Sequence, residues 1–170
     1  MKIIGACFIL LTTTYLGFEA ARMLSERTRQ LRLLKSALQS LEAEIMYGHA
    51  PLHEASRRIA KQIDKPVGMI FETFADKLVI QLTSAKEAWE ESLTEVWKQT
   101  ALKKGELEIL LQFGETLGKH DLIQQQKHIQ LALTHLDREE MEAKERQVVY
   151  GKIYKNFGFL AGLLVVILLI

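Results

Sequence analysis

The chain has 170 residues and a formal net charge of +1, which excludes the broad basic field of a nucleic-acid binder and suits one compact domain. Two prolines and ten glycines, with no low-complexity segment or internal repeat, argue against disorder. The single cysteine, Cys7, cannot form an intramolecular disulfide.

The first element is an apolar run over residues 3–18, and an uncharged apolar run over residues 157–170 is its counterpart at the other end. As helices they measure roughly 24 and 21 Å, short of the ~30 Å hydrocarbon core of a bilayer. Ala20, Ala21, Ile153 and Tyr154 extend them, while Lys152 and Lys155 snorkel to the interface. Both are read as uncleaved transmembrane helices. Ala20 and Ala21 make poor cleavage sites, and most of the first apolar stretch follows Cys7 rather than preceding it, unlike a lipidation signal. Arg22, Arg27, Arg29, Arg32 and Lys35 follow the first run, and Lys144, Arg146, Lys152 and Lys155 precede the second. Lysine and arginine concentrate on the cytoplasmic side of a membrane, so the middle is expected in the cytoplasm with both termini across the bilayer. The expected organisation is an N-terminal transmembrane helix (1–21), a cytoplasmic helical domain (22–150) and a C-terminal transmembrane helix (151–170).

Past residue 19 the first helix is expected to continue. Leu24, Leu31, Leu38 and Ile45 recur every seven residues, with Leu34 and Leu41 between them. Such a seam fits either the buried stripe of a bundle helix or a dimeric coiled coil. Gly48 is placed to end this helix as a left-handed cap, and Pro51 to open a second, short one. Leu52, Ala55, Ile59 and Ile63 form the apolar face of that helix; Pro66 begins a third, with Ile70, Phe71, Phe74 and Leu78 toward the core. Ser84 and Glu87 form a capping box for a fourth. It carries Ala85, Ala88, Trp89, Val96 and Trp97 as bulk, and Glu87, Glu90, Glu91 and Glu95 as an acidic face. A fifth helix is expected over residues 102–117, with Leu107, Leu110, Leu111 and Gly114 on one side and Gly118 as its cap. Asp121 with Gln124 opens a sixth. It is built on Leu122, Ile129, Leu133 and Leu136 and passes through a polar stretch, 137–147, read as an exposed rod. No strand pattern interrupts the series. The fold class is all-α: a compact six-helix bundle flanked by two transmembrane helices.

Five histidines are the only enzymatic currency. His49 and His53 have the i, i+4 spacing of a helical zinc pair, but Gly48 and Pro51 put His49 at a helix boundary and no cysteine completes a site. His128 and His135, one heptad apart, flank a packed seam. There is no phosphate-cradling loop, zinc-protease motif or nucleophile elbow, so neither catalysis nor a cofactor is expected. The basic stretch 22–35 suits anionic headgroups, which reward each nearby Lys or Arg by about 1 kcal/mol.

Three blocks carry a family resemblance. They are residues 38–56 (Leu-Gln-Ser-Leu-Glu-Ala-Glu-Ile-Met-Tyr-Gly-His-Ala-Pro-Leu-His-Glu-Ala-Ser), residues 113–121 (Phe-Gly-Glu-Thr-Leu-Gly-Lys-His-Asp) and residues 126–136 (Gln-Lys-His-Ile-Gln-Leu-Ala-Leu-Thr-His-Leu). Over essentially the whole chain the sequence resembles the stage III sporulation protein AB family of endospore-forming bacteria. That family in turn resembles the cytoplasmic domain of the F-type platform protein of type II secretion and type IV pilus systems. The shared patterns are Gly-x-x-Pro-Leu-x-x-Ala, here Gly48, Pro51, Leu52 and Ala55, and Gly-Glu-x-x-Gly, here Gly114, Glu115 and Gly118. The secretion protein usually carries two such domains and three membrane helices, where this sequence has one and two.

The resemblance implies a non-enzymatic platform or coupling subunit of the channel complex between mother cell and forespore. Its place would be the mother-cell membrane facing the forespore, with the main domain cytoplasmic. The implied partners are the secretion-type ATPase of the same operon, other membrane proteins of that complex and membrane lipids. No nucleic acid is implied, and a homo-oligomer is left open. Arg29, Arg32, Glu115 and Asp121 are the candidate partner contacts, and Gly158 with Gly162, a Gly-x-x-x-Gly, is the candidate for close approach of another membrane helix. The alternative is a two-anchor membrane signalling or sensor protein that uses the seam over residues 24–45 as a coiled-coil dimer.

Overall fold

The computed structural model describes residues 2–48, 50–80, 84–118 and 122–169, with side chains there other than those of residues 2–4, 6, 7, 155, 158, 159, 168 and 169. Among the described residues six α-helices follow in order: α1 (Lys2–Ala43), α2 (Leu52–Gln62), α3 (Val67–Ile80), α4 (Ala85–Val96), α5 (Lys104–Gly114) and α6 (Leu122–Leu169). A π-helical turn, Glu44–Gly48, closes α1, and a 3-10 turn, Trp97–Gln99, closes α4. The described residues contain no strand. The all-α reading holds. The chain divides into two compact units, Arg29–Glu140 and the paired ends Met1–Thr28 with Met141–Ile170.

In the first unit, the body, α1 and α6 run antiparallel. Gln126 and Gln130 donate to the Glu42 carboxylate at 3.1 and 2.8 Å, and Arg32 donates to Glu140 at 2.9 Å. Leu31, Leu34, Leu38 and Leu41 are completely buried inside this one chain, so the seam is the stripe of a bundle helix and is not open to a second copy. Its outer members, Leu24 and Ile45, are half-buried. α2 packs on α3, α3 on α4 and α4 on α5. Ile70, Phe71 and Phe74 are buried as the α3 pattern predicts. Trp89 of α4 sits among Phe71, Phe74 and Phe113 at centroid distances of 5.5, 5.1 and 5.6 Å, each edge-on. Edge-to-face aromatic pairs add about 0.5–1.5 kcal/mol each beyond the area they bury. The capping box opening α4 is present in both halves: Glu87 N donates to Ser84 Oγ at 3.2 Å and Ser84 N to Glu87 Oε2 at 3.1 Å.

Four expectations need correcting. Gly48 is not a left-handed cap, because α1 widens into the π-helical turn and Gly48 closes that turn; the positive-φ glycine among the described residues is Gly118. Helix α5 is shorter than 102–117. It starts after Lys103, whose N–H donates to the Glu106 carboxylate at 2.9 Å, and it gives way to a turn after Gly114. Leu122 is exposed rather than core, whereas Ile129, Leu133 and Leu136 are buried. The polar stretch of α6 is no free rod: Asp137 and Glu140 hold Lys35 and Arg32 of α1, and Ala143 is buried. Asp121, expected to cap α6, lies outside the described residues.

In the second unit the two ends also pair antiparallel. Gln147 donates to Ser25 Oγ at 3.3 Å, and Gly162 lies directly against the Thr13 hydroxyl and Leu10. Among the described residues of this unit the small Gly17, Ala21, Ala143 and Gly162 are buried, as are Arg27 and Thr28, while Phe8, Leu11, Leu16, Phe18, Phe157, Leu160, Leu164 and Ile167 face outward. Thr12 and Thr13 donate to the carbonyls of Phe8 and Ile9 at 2.8 and 2.9 Å, satisfying their hydroxyls within their own helix. Among the described residues, no helix is long and apolar enough to cross a membrane. The expected flanking transmembrane helices are therefore not supported: the two apolar runs are the ends of α1 and α6, bounded by Glu19 and Lys155. Several of their residues, including Cys7 and Gly158, fall outside the described side chains.

Candidate functional site

The two glycine patterns meet at one end of the body, where α1 and α5 end and α2 and α6 begin. Pro51 leads into α2, and its carbonyl accepts from the N–H groups of Glu54 and Ala55 at 2.9 and 3.1 Å. That fixes Leu52 and Ala55 in the first turns. They line a pocket of about 190 Å³ together with Glu44, Ile45, Ala50, Gly118 and Gln125. Gly118 adopts φ +78°, where a side chain is strained, and an added Cβ would lie 3.1 Å from that of Ala85 at the start of α4. Gln125 is buried and donates to the Thr116 carbonyl at 3.4 Å. Glu44, at the wall, pairs with Arg58 at 2.5 Å.

Gly114 has a different partner. A Cβ there would overlap Trp89 Cδ1 and sit 3.2 Å from Nε1. The indole cannot withdraw, because Nε1–H donates to the Leu110 carbonyl at 2.8 Å and three phenyl rings surround it. Gly114 is therefore the imprint of a tryptophan on the facing helix.

Large apolar side chains are exposed at the helix ends here, among polar ones such as Glu115 and Gln124. Tyr47 is 78% exposed, Ile80 77% and Ile123 75%, with Val79 and Leu122 also outward. Tyr47 belongs to the turn that closes α1, Ile80 ends α3 next to the connection into α4, and Ile123 opens α6. The sequence reading missed these three. Periodicity gives no signal for them, because adjacent apolar residues can share one helix face, as Ile70 and Phe71 do in α3.

Of the expected contact residues, Arg29 and Arg32 lie elsewhere, and Glu115 lies at this end. Arg29 pairs with Asp64 at 3.3 Å beside the α2–α3 bend, Arg32 with Glu140 at 2.9 Å, and Glu115 with Lys86 at 2.7 Å. Asp121 and Gly158 are not among the described residues and side chains. Gly162 is buried against α1 of the same chain, so its close approach is already taken. Around Arg32 the charges form a cluster. Burial alone would raise the Glu140 pKa, but hydrogen bonds from Lys35 and Arg32 outweigh it and hold the carboxyl below its ordinary 4.5. Hydrogen bonds to Asp137 and Glu140 raise Lys35 above 10.5 against the opposing effect of burial. Lys77 of α3 and Lys86 of α4 are likewise raised, first by hydrogen bonds to Glu91 and Glu115. The acidic face of α4 is thereby partly neutralised from within. Among the described residues, no three His, Cys, Asp or Glu side chains converge to hold a metal ion; His49 of the His49–His53 pair is outside them.

The family model described as stage III sporulation protein AB matches residues 2–170. The chain belongs to that family. It is 57% identical over 169 residues to stage III sporulation protein AB of Bacillus subtilis (strain 168), covering 99% of each chain. A solved structure of stage III sporulation protein AB is also similar, with a TM-score of 0.70 and 60% identity over 73% of this chain and 98% of that one. Within the family frame, the Gly-x-x-Pro-Leu-x-x-Ala and Gly-Glu-x-x-Gly patterns have a packing origin: they shape the end of the body and seat Trp89.

Proposed function

We propose that this member of the sporulation family is a non-enzymatic, membrane-attached platform or coupling subunit of the mother cell–forespore channel complex. The paired ends enter the mother-cell membrane facing the forespore, and the body lies in the cytoplasm. The apolar end of the body, around Tyr47, Ile80 and Ile123, contacts the secretion-type ATPase of the same operon or neighbouring membrane proteins.

One observation carries the reading. The paired ends bury Gly17, Ala21, Ala143 and Gly162 and turn Phe8, Leu16, Phe157 and Leu164 outward. Two helices paired in water would do the reverse, since each large apolar side chain gains about 1.5–3 kcal/mol by burial. In lipid the outward residues are already solvated by hydrocarbon, and small residues let the backbones approach. The coiled-coil sensor alternative finds no support, because its seam is consumed inside the body.

The test has two parts. Full-length protein should resist alkaline extraction from membranes, and a tag on either terminus should be protected in vesicles whose cytoplasmic face is outward. Tyr47→Asp, Ile80→Asp and Ile123→Asp should each abolish co-purification of the ATPase while the protein stays folded. If the wild-type protein neither binds the ATPase nor changes its activity, the coupling role fails.

A further inference from the structure

Resting on the membrane reading above, we infer that α6 reads anionic phospholipid headgroups through Lys152, supported by Lys144 and flanked by Tyr150 and Tyr154, and that the basic run of α1 does not. The sequence directs attention to Arg22–Lys35, five cations in a row of helical turns. The structure redistributes them. Arg29 is paired with Asp64, Arg32 with Glu140, and Lys35 with Asp137 and Glu140. Each cation that already faces a carboxylate brings little net charge to a phosphate. Arg22 is close to Glu19 at 3.6 Å.

On α6 the arrangement is the opposite. Lys144 and Lys152 are exposed, and among the described residues neither takes part in an ion pair, while Arg146 pairs with Glu142 at 2.7 Å. Lys144 has the exposed charges Glu142, Glu145 and Arg146 beside it, whereas beside Lys152 the surface is apolar and aromatic: Val148, Val149, Tyr150, Ile153 and Tyr154 are all outward. Tyr150 and Tyr154 lie one turn apart with ring centroids at 6.4 Å. Exposed tyrosines beside an apolar run are the side-chain chemistry of the headgroup level. Lys152 lies between the two tyrosines in sequence, so it occupies that level too. Lys144, two turns earlier, stands roughly 12 Å back along the axis, at about one Debye length, where its attraction is weaker but not screened out. Unpaired lysines beside an aromatic level and an apolar run match a phosphodiester surface in charge and in depth.

The probe is spin-labelled phosphatidylglycerol against spin-labelled phosphatidylcholine, each in vesicles of phosphatidylcholine holding the full-length protein. The motionally restricted, protein-bound fraction is read by electron spin resonance. Wild type should prefer phosphatidylglycerol about fivefold, the equivalent of about 1 kcal/mol for one lysine at the surface. Lys152→Gln with Lys144→Gln should bring the ratio near one, and Arg29→Gln with Arg32→Gln should leave it unchanged; circular dichroism confirms that both variants are helical. A preference that survives the lysine double variant, or disappears in the arginine one, overturns the inference. Equal binding of both lipids by wild type also overturns it but leaves membrane attachment standing. Absence of any restricted fraction instead removes the membrane reading itself.

Discussion

Replacing Gly114 by alanine isolates the contact on which the body is built. In most helices the change favours the helix by about 0.8–1 kcal/mol, less at the last turn, where Gly114 sits. Here the new methyl would overlap Trp89 Cδ1. Overpacking of a core costs about 1–3 kcal/mol, and displacing the indole also weakens its 2.8 Å hydrogen bond to Leu110, worth about 1 kcal/mol. The net expectation is a loss of about 2 kcal/mol, or ~1 M in the urea midpoint at a typical slope. Gly105→Ala is the matched control. It lies in the same helix, and its Cβ would meet only the Glu139 carboxylate at 3.7 Å or more, so it should hold or raise stability. The assay is urea unfolding of the full chain followed by circular dichroism. A double-mutant cycle with Trp89→Leu sharpens it: once the indole is gone, Gly114→Ala should cost little, giving a coupling of order 1–2 kcal/mol. If Gly114→Ala is as stable as wild type, or costs as much without the indole, the account of this glycine is wrong.

Other outcomes follow from single side chains. Ser56 Oγ is buried and, among the described residues, has no hydrogen-bond partner; Ser56→Ala should therefore be neutral or stabilise by about 1 kcal/mol, measured by the shift of the unfolding midpoint. Leu38→Ala, in the fully buried seam, should cost about 2–5 kcal/mol with no change in oligomeric mass by light scattering, whereas a coiled-coil dimer would lose mass. Glu140→Gln removes the shared acceptor of Arg32 and Lys35 and should cost about 1 kcal/mol at neutral pH. Because the folded pKa of Glu140 lies below its ordinary 4.5, the wild-type advantage should be complete above that pH. It should vanish as pH falls through the folded value, when both proteins carry a neutral group there. A gap that persists in acid, or grows, would rule out the carboxylate as its source.

Local chemistry made much of the fold legible. The Ser84–Glu87 box and the heptad leucines each satisfy a short-range rule and stand where the sequence placed them, whereas Gly118 is left-handed but lies in a turn four residues past the end of α5. The misreadings came from interactions that sequence spacing cannot register. The polar stretch of α6 looked solvated because its partners, Arg32 and Lys35, lie more than a hundred residues away. The same pairing gives Arg32 an intramolecular partner in Glu140. Gly48 looked like a cap because a π-helical turn has no signature of its own in composition. Periodicity also reports only which face is buried, so Leu122 was taken as core when α6 had not yet reached the other helices.

The motif residues are distinct from the exposed apolar residues proposed above as the contact surface. Gly114 is explained by Trp89, Gly118 by its left-handed backbone, and Pro51, Leu52 and Ala55 by the opening turn of α2. A packing constraint of this kind specifies the same bundle whatever that bundle meets, so these residues can be shared by proteins with different partners. Tyr47, Ile80 and Ile123 have no such explanation: their exposure leaves them without a part in the core. Each adjoins an element end that the motif residues hold in place, at Gly48, at the start of α4 against Gly118, and at the entry to α6. The rigid glycine-shaped frame would then serve to present a small apolar surface. Changes in partner would come from substitutions at Tyr47, Ile80 and Ile123 while Gly114 and Trp89 stay fixed. A chimera tests this directly: exchanging those three residues for those of a relative should transfer partner preference with the unfolding midpoint unchanged, and exchanging the glycine pattern should do neither.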